Sequence, residues 1–252
     1  MEFIYKDVSI NYSYYDNESD YSLIFLHGWG QNIEMMMSLA KPFIKKNKVL
    51  LIDLPGFGLS EEPKDVWDLY EYADMVHELV KKLKLKNVVL IGHSFGGKVS
   101  ICYSLKYDTK KLVLLASPYK KAIKKEDIKT KSLKALKKVP LLNKLEGYVK
   151  KHVGSTDYRN ASEMMRKILV KHVNTDLTDD VKNIKCPTVL VWGTRDEAVN
   201  YEDALELERQ KVKDQATVER VRVESEKVAS TRIGKIDIKK VTRIVKSWVK
   251  SN

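Results

Sequence analysis

The apolar positions of this chain change period several times along its length, and those changes divide it into elements. Short, almost wholly apolar runs at 21–26, 48–53, 87–91, 111–116 and 188–193, set off by turn-forming residues, read as strands buried on both faces. Between them, 33–46 and 66–83 carry apolar residues at helical spacing, and Lys98-Val99-Ser100-Ile101-Cys102 is helix-compatible. Two β-rich segments, 2–10 and 11–15, open the chain. Beyond 193, residues 201–211 read as helix and 218–224 alternate as a strand, while 238–249 set Ile238, Val241, Val245, Trp248 and Val249 on one helical face. Such alternation predicts an α/β fold, a mostly parallel central sheet with helices on both faces.

The alternation breaks between Ser117-Pro118 and Cys186-Pro187, where a lysine-rich and all-helical pattern takes over. The expected organisation is therefore a core domain built from 1–117 and 186–252, with 118–185 inserted as a helical cap. Charge supports the division. The chain carries a net charge of +12, and residues 117–185 hold 18 Lys/Arg against 8 Asp/Glu, an excess of +10 in that segment. Lys120-Lys121, Lys124-Lys125 and Lys137-Lys138 fall on amphipathic patterns, which reads as a solvated face, and no interleaved aromatics offer bases a stacking platform, so nucleic acid is not an expected partner. No apolar run approaches the roughly 20 residues of a membrane span, and the start lacks a basic-then-apolar leader, so a cytoplasmic protein is expected. Cys102 and Cys186 read as small buried residues rather than a disulfide framework.

Chemistry concentrates where the apolar run 87–91 meets Gly92-His93-Ser94-Phe95-Gly96-Gly97. A buried strand that reverses abruptly into a helix needs glycine at 92 and 96, where a Cβ would strike neighbouring backbone. Ser94 is thereby lifted to the tip of the turn as a nucleophile. The Phe95 amide, at the new helix's N-terminus, points toward developing negative charge. Ligands of open parallel sheets sit beyond the C-terminal ends of the strands. The other distinctive loops share that position: His27-Gly28-Trp29-Gly30, the stretch from Asp53 to Ser60, and Asp196. Trp29 N–H is the expected second oxyanion donor, Gly28 and His93 the expected substrate-side residues of the two turns, and Asp196 the acid that orients an imidazole.

With these motifs in place the chain resembles the α/β-hydrolase family, specifically its small cap-bearing, esterase-like members. The resemblance rests on His27-Gly28-Trp29-Gly30, Asp53-Leu54-Pro55-Gly56-Phe57-Gly58-Leu59-Ser60, Gly92-His93-Ser94-Phe95-Gly96-Gly97, and Pro187 through Asp196. It implies an α/β-hydrolase fold and hydrolysis of a carboxylic ester through an acyl-serine, with a nucleophile, an acid and a histidine in that chain order. The histidine belongs in the loop before the last helix, about 225–235. None is there. The five histidines, His27, His77, His93, His152 and His172, all precede Asp196. His27 and His93 belong to the loop motifs and His77 to a helix, which leaves His152 or His172 as a cap-supplied base, or Lys227 or Lys235 near the vacant place. The gap implies weak or lost activity. It also leaves open a second reading, a catalytically impaired pseudoenzyme or small-molecule-binding module on the same fold.

A serine at 94 argues against dehalogenase or epoxide-opening chemistry, which needs a carboxylate there to form an ester with the substrate. Acyl transfer and carbon–carbon cleavage on the same site stay open. Trp29, Met35, Met36, Met37, Phe57 and Phe95 are candidates for an apolar entrance suited to a hydrophobic ester. No metal-ligand spacing, dinucleotide glycine motif or phosphate loop occurs, so no cofactor or metal is expected and the partner is a small-molecule ester or related acyl substrate.

Overall fold

The computed structural model describes residues 1–121, 155–193, 196, 199–212, 218–223 and 238–250. The strands are β1 (Glu2–Tyr5), β2 (Val8–Tyr15), β3 (Ser22–Leu26), β4 (Lys48–Ile52), β5 (Val88–His93), β6 (Lys111–Leu115), β7 (Thr188–Gly193) and β8 (Val218–Val223). The helices are α1 (Ile33–Ile44), α2 (Leu69–Lys82), α3 (Phe95–Lys106), α4 (Thr156–Asn160), α5 (Glu163–Asn174), α6 (Tyr201–Val212) and α7 (Ile238–Lys250). The described strands form one sheet in the order β1-β2-β4-β3-β5-β6-β7-β8. The β1–β2 and β2–β4 pairings are antiparallel, and every pairing from β4 through β8 is parallel.

Each central strand is apolar on both faces because both are covered. Ile24, Leu26, Leu90, Leu112, Leu114 and Leu190 point into one core with α2 and α3, while Leu23, Phe25, Val89, Val113 and Val191 point into the other with α1 and α7. The opening segment divides earlier than its pattern suggests. β1 ends at Tyr5, and Lys6 and Asp7 turn the chain with φ of 48° and 56°, the left-handed pair that a two-residue hairpin demands. Likewise α2 starts at Leu69 rather than 66, because Asp68 and Glu71 form a reciprocal capping box, Glu71 N–H to Asp68 Oδ1 at 3.0 Å and Asp68 N–H to Glu71 Oε2 at 2.9 Å.

The described part of the expected cap comprises α4, which buries no residue, and α5 and a 3₁₀ turn at Asp180–Asn183, which lie against the α2/α3 face with Met165, Ile168 and Val181 entering that core. Residues 122–154 of the insertion, including His152, lie outside the described residues. Parallel running brings the C-terminal ends of β3 through β7 to one rim, with Leu26 opposite Gly92, Gly92 opposite Leu114, and Leu115 opposite Val191.

Candidate active site

At that rim β5 turns into α3 through Ser94, whose φ of 49° and ψ of −108° lie where a side chain is rarely tolerated. The surrounding backbone over-determines this conformation. Ser94 N–H donates to Leu115 O at 3.0 Å, and Ser94 O accepts from Gly97 and Lys98 N–H at 3.0 and 3.1 Å. The two motif glycines are obligatory on contact grounds. A Cβ on Gly92 would sit 2.6 Å from Gly96 O and 2.6 Å from Gly97 Cα, and one on Gly96 would enter the carbonyls of Leu26 and His27. Gly96 N–H also donates to His27 O at 3.0 Å, so the nucleophile turn and the loop after β3 are bonded to each other. Among the described residues, neither Trp29 N–H nor Phe95 N–H donates to another backbone group in a turn or loop.

The loop after β3 is braced by two imidazoles. His27 Nε2 accepts Leu54 N–H at 2.9 Å, which places the proton on Nδ1 and makes that nitrogen the donor to Gly28 O at 2.7 Å. Complete burial holds His27 neutral, lowering it to about 4. His93, 1% exposed, pairs through Nδ1 with Gln31 Oε1 at 3.1 Å, and the same oxygen accepts Gly28 N–H at 3.2 Å. Gly28 has no room for a Cβ, which would approach His93 Nδ1 to 2.7 Å. Gly28 and His93 are thus packed together beneath the loop that carries Trp29.

Asp53, at the end of β4, is 3% exposed and spent on structure. Its carboxylate accepts Ile33 N–H at 2.7 Å, Asn11 Nδ2–H at 2.8 Å and Leu59 N–H at 2.9 Å, fastening α1, β2 and the 53–60 loop together. Asp196 stands three residues past the end of β7, half-buried, with Oδ1 accepting Val199 N–H at 3.0 Å and its own N–H donating to Gly193 O at 3.3 Å. Ser94 and Asp196 therefore share a rim, on strands separated by β6 alone. Two inter-strand spacings are about 10 Å, a gap that a bridging side chain can fill. The expected histidine loop and both candidate lysines, Lys227 and Lys235, lie outside the described residues.

The apolar entrance expected from six residues divides. Trp29, Phe57 and Phe95 do form one aromatic cluster, with ring centroids at 4.9 Å (Trp29–Phe57), 5.3 Å (Trp29–Phe95) and 6.0 Å (Phe57–Phe95). The methionine run does not join it. Met36 is buried, and Met35 and Met37 pack, in the opposite core under α1, because helical spacing alone does not say which face of the sheet a helix covers. On this side of the sheet Met165 of α5 fills the space beside Gly56.

His172, also from α5, completes the cluster. Its ring stacks on Trp29 at 5.5 Å and 13° and meets Phe95 edge-on at 4.8 Å and 64°. It is 8% exposed, its Nδ1 is enclosed without a hydrogen-bond partner among the described residues, and burial together with the nearby Lys98 charge lowers it to about 3. So reluctant a proton acceptor is a poor general base, which argues against the cap-supplied base that its position allows. Lys98, 1% exposed on α3, was not legible as a site residue at all; its role emerges only from the docking of α5.

The α/β hydrolase fold family model matches residues 21–143. AB hydrolase superfamily protein YisY of Bacillus subtilis (strain 168) is 28% identical over 210 residues, 74% of this chain and 78% of that protein. Monoacylglycerol lipase ABHD6 of Mus musculus is 26% identical over 218 residues, 73% of this chain and 64% of that one. Among solved structures, MGS-M2, an alpha/beta hydrolase enzyme from a Medee basin deep-sea metagenome library, superposes with a TM-score of 0.76 at 16% identity, over 100% of this chain and 98% of its own. Sheet order, turn geometry and these likenesses agree, and the chain has the α/β-hydrolase fold.

Proposed function

We propose that the protein is a serine hydrolase of carboxylic esters that works through an acyl-serine intermediate. Ser94 Oγ attacks the ester carbonyl, the N–H groups of Trp29 and Phe95 hold the oxyanion, and the Asp196 carboxylate orients the base that takes the serine proton. Gly28 and His93 contribute to substrate binding by shaping the loop that presents Trp29. The observation that carries this reading is the strained conformation of Ser94. A non-glycine residue at φ 49°, ψ −108° costs on the order of 1–3 kcal/mol, and such strain clusters where a side chain must be presented to a ligand. A relative at 26% identity that is a monoacylglycerol lipase supports ester substrates of small size.

The turnover is expected to be feeble. No histidine follows Asp196, and loss of that base in a serine protease costs on the order of a millionfold in kcat, while oxyanion donors and binding still leave roughly 10³–10⁴ over water. The test compares hydrolysis of p-nitrophenyl acetate by wild type and Ser94→Ala. Turnover that vanishes with the hydroxyl supports the proposal; equal rates in the two proteins reduce the chain to a ligand-binding module. Lys227→His or Val228→His should raise turnover well above wild type by refilling the vacant place, and no gain from either would show that the base belongs elsewhere.

A further inference from the structure

Lys98 lies one turn into α3, the helix that begins at the nucleophile, and the residue is 1% exposed. Among the described residues no carboxylate is its hydrogen-bond partner. Instead Nζ donates to the carbonyls of His172 at 3.1 Å and Thr175 at 3.0 Å at the end of α5, where the His172 carbonyl also accepts Thr175 N–H at 3.3 Å and the negative end of the helix dipole favours a cation. Burial of an ammonium is costly, and Lys98 is accordingly pulled down to about 8, so the position is held against a desolvation penalty. A surface lysine would bear no such cost. The residue whose carbonyl it grips, His172, is the same one whose ring lies flat on Trp29 and edge-on to Phe95.

The geometry points to Lys98 as a positioning residue that clamps the cap helix α5 to the nucleophile helix, so that the His172 ring forms a fixed wall of the acyl pocket against Trp29 and Phe95 and limits the length of acyl chain accepted. The clamp rests on the ester-hydrolase reading for its consequence, though not for its existence. Elsewhere the molecule uses the same device without a site attached. Lys111, 4% exposed on β6, donates to Trp248 O at 2.7 Å and Val249 O at 3.3 Å and so closes the end of α7 on the opposite face. Lys111 thus provides an internal control for a purely structural buried lysine.

The experiment measures kcat/KM for p-nitrophenyl octanoate relative to acetate in wild type, Lys98→Met, Lys111→Met, His172→Ala and His172→Phe. A wall that is released or cut back admits added methylenes, and since one methylene in a pocket is worth 10–200-fold, the octanoate-to-acetate ratio should rise about tenfold or more in Lys98→Met and His172→Ala. Lys111→Met should lower the melting temperature and leave the ratio unchanged. His172→Phe keeps a flat ring in place and should restore the wild-type ratio. An unchanged ratio in folded Lys98→Met, or loss of all turnover in His172→Phe, overturns the wall. Hydrogen exchange of wild type answers separately, even if Lys98→Met does not fold or no ester is turned over. Slow exchange in α5, comparable to α3, supports the clamp; exchange as fast as in exposed loops sinks it, whatever the fate of the hydrolase reading.

Discussion

The nucleophile turn and the cap helix α5 meet at the same aromatic cluster but are held by different physics. The turn is determined by backbone sterics: glycines 92 and 96 sit where any Cβ would overlap a carbonyl, and Ser94 is trapped in a left-handed conformation by three main-chain hydrogen bonds. The helix is held by a buried ammonium on two carbonyls and by ring contacts from His172. Steric determination has no intermediate states, because a clash either is or is not present. Docking by a charge and a few rings is graded, and it is where pocket shape can change without loss of the fold.

The largest expected effect breaks the turn. Gly96→Ala drives a methyl into the carbonyls of Leu26 and His27, backbone that cannot rotate away, and should cost at least about 3 kcal/mol by denaturant unfolding. A loss under 1 kcal/mol would mean that the turn has slack and the contrast with α5 is overstated.

Acid probes both regions together. His27 and His172 are held neutral by burial, at about 4 and about 3, against an ordinary value of 6.5 in the unfolded chain. The unfolded state therefore binds more protons below 6.5. Stability is complete above that pH and falls as pH drops toward 4, with a limiting slope of about 1.4 kcal/mol per pH unit for each histidine. Urea unfolding from pH 7 to 4 reads that slope, and His172→Phe should remove the contribution of one proton while His27 keeps its own. A slope unaltered in His172→Phe would place that imidazole in contact with water.

The smallest effect is a gain. Ser94→Gly relaxes the left-handed strain and should raise stability by up to about 1 kcal/mol while abolishing ester turnover, a trade of function against stability at one atom group. Destabilisation by Ser94→Gly would remove strain as the mark of the nucleophile.

What could be read from the chain follows the same division. Strands buried on both faces show as continuous apolar runs, and a steric turn shows as glycines at set spacing, so the sheet and the Ser94 turn are legible from local sequence. The Lys6-Asp7 turn was not, since lysine gives no sign of a positive φ and aspartate a far weaker one than glycine. Nor was the docking of α5. Lys98, read from sequence as one more residue of a helix, gives no sign that carbonyls 74 and 77 residues away will enclose it. Met165 and His172 reach the site by the same kind of long-range packing, whereas Met35, Met36 and Met37, local to the His27 loop in sequence, go to the other side of the sheet. Asp53 and Asp196 look alike in sequence, each following a buried strand, but three amide donors claim the carboxylate of the buried first, while the second is half-buried and accepts Val199 N–H.

The most direct measurement is covalent labelling of the intact protein with a fluorophosphonate, followed by peptide mapping. The account predicts one adduct, on Ser94, absent from Ser94→Ala; no adduct on the wild type, or an adduct that persists in the variant, would contradict it.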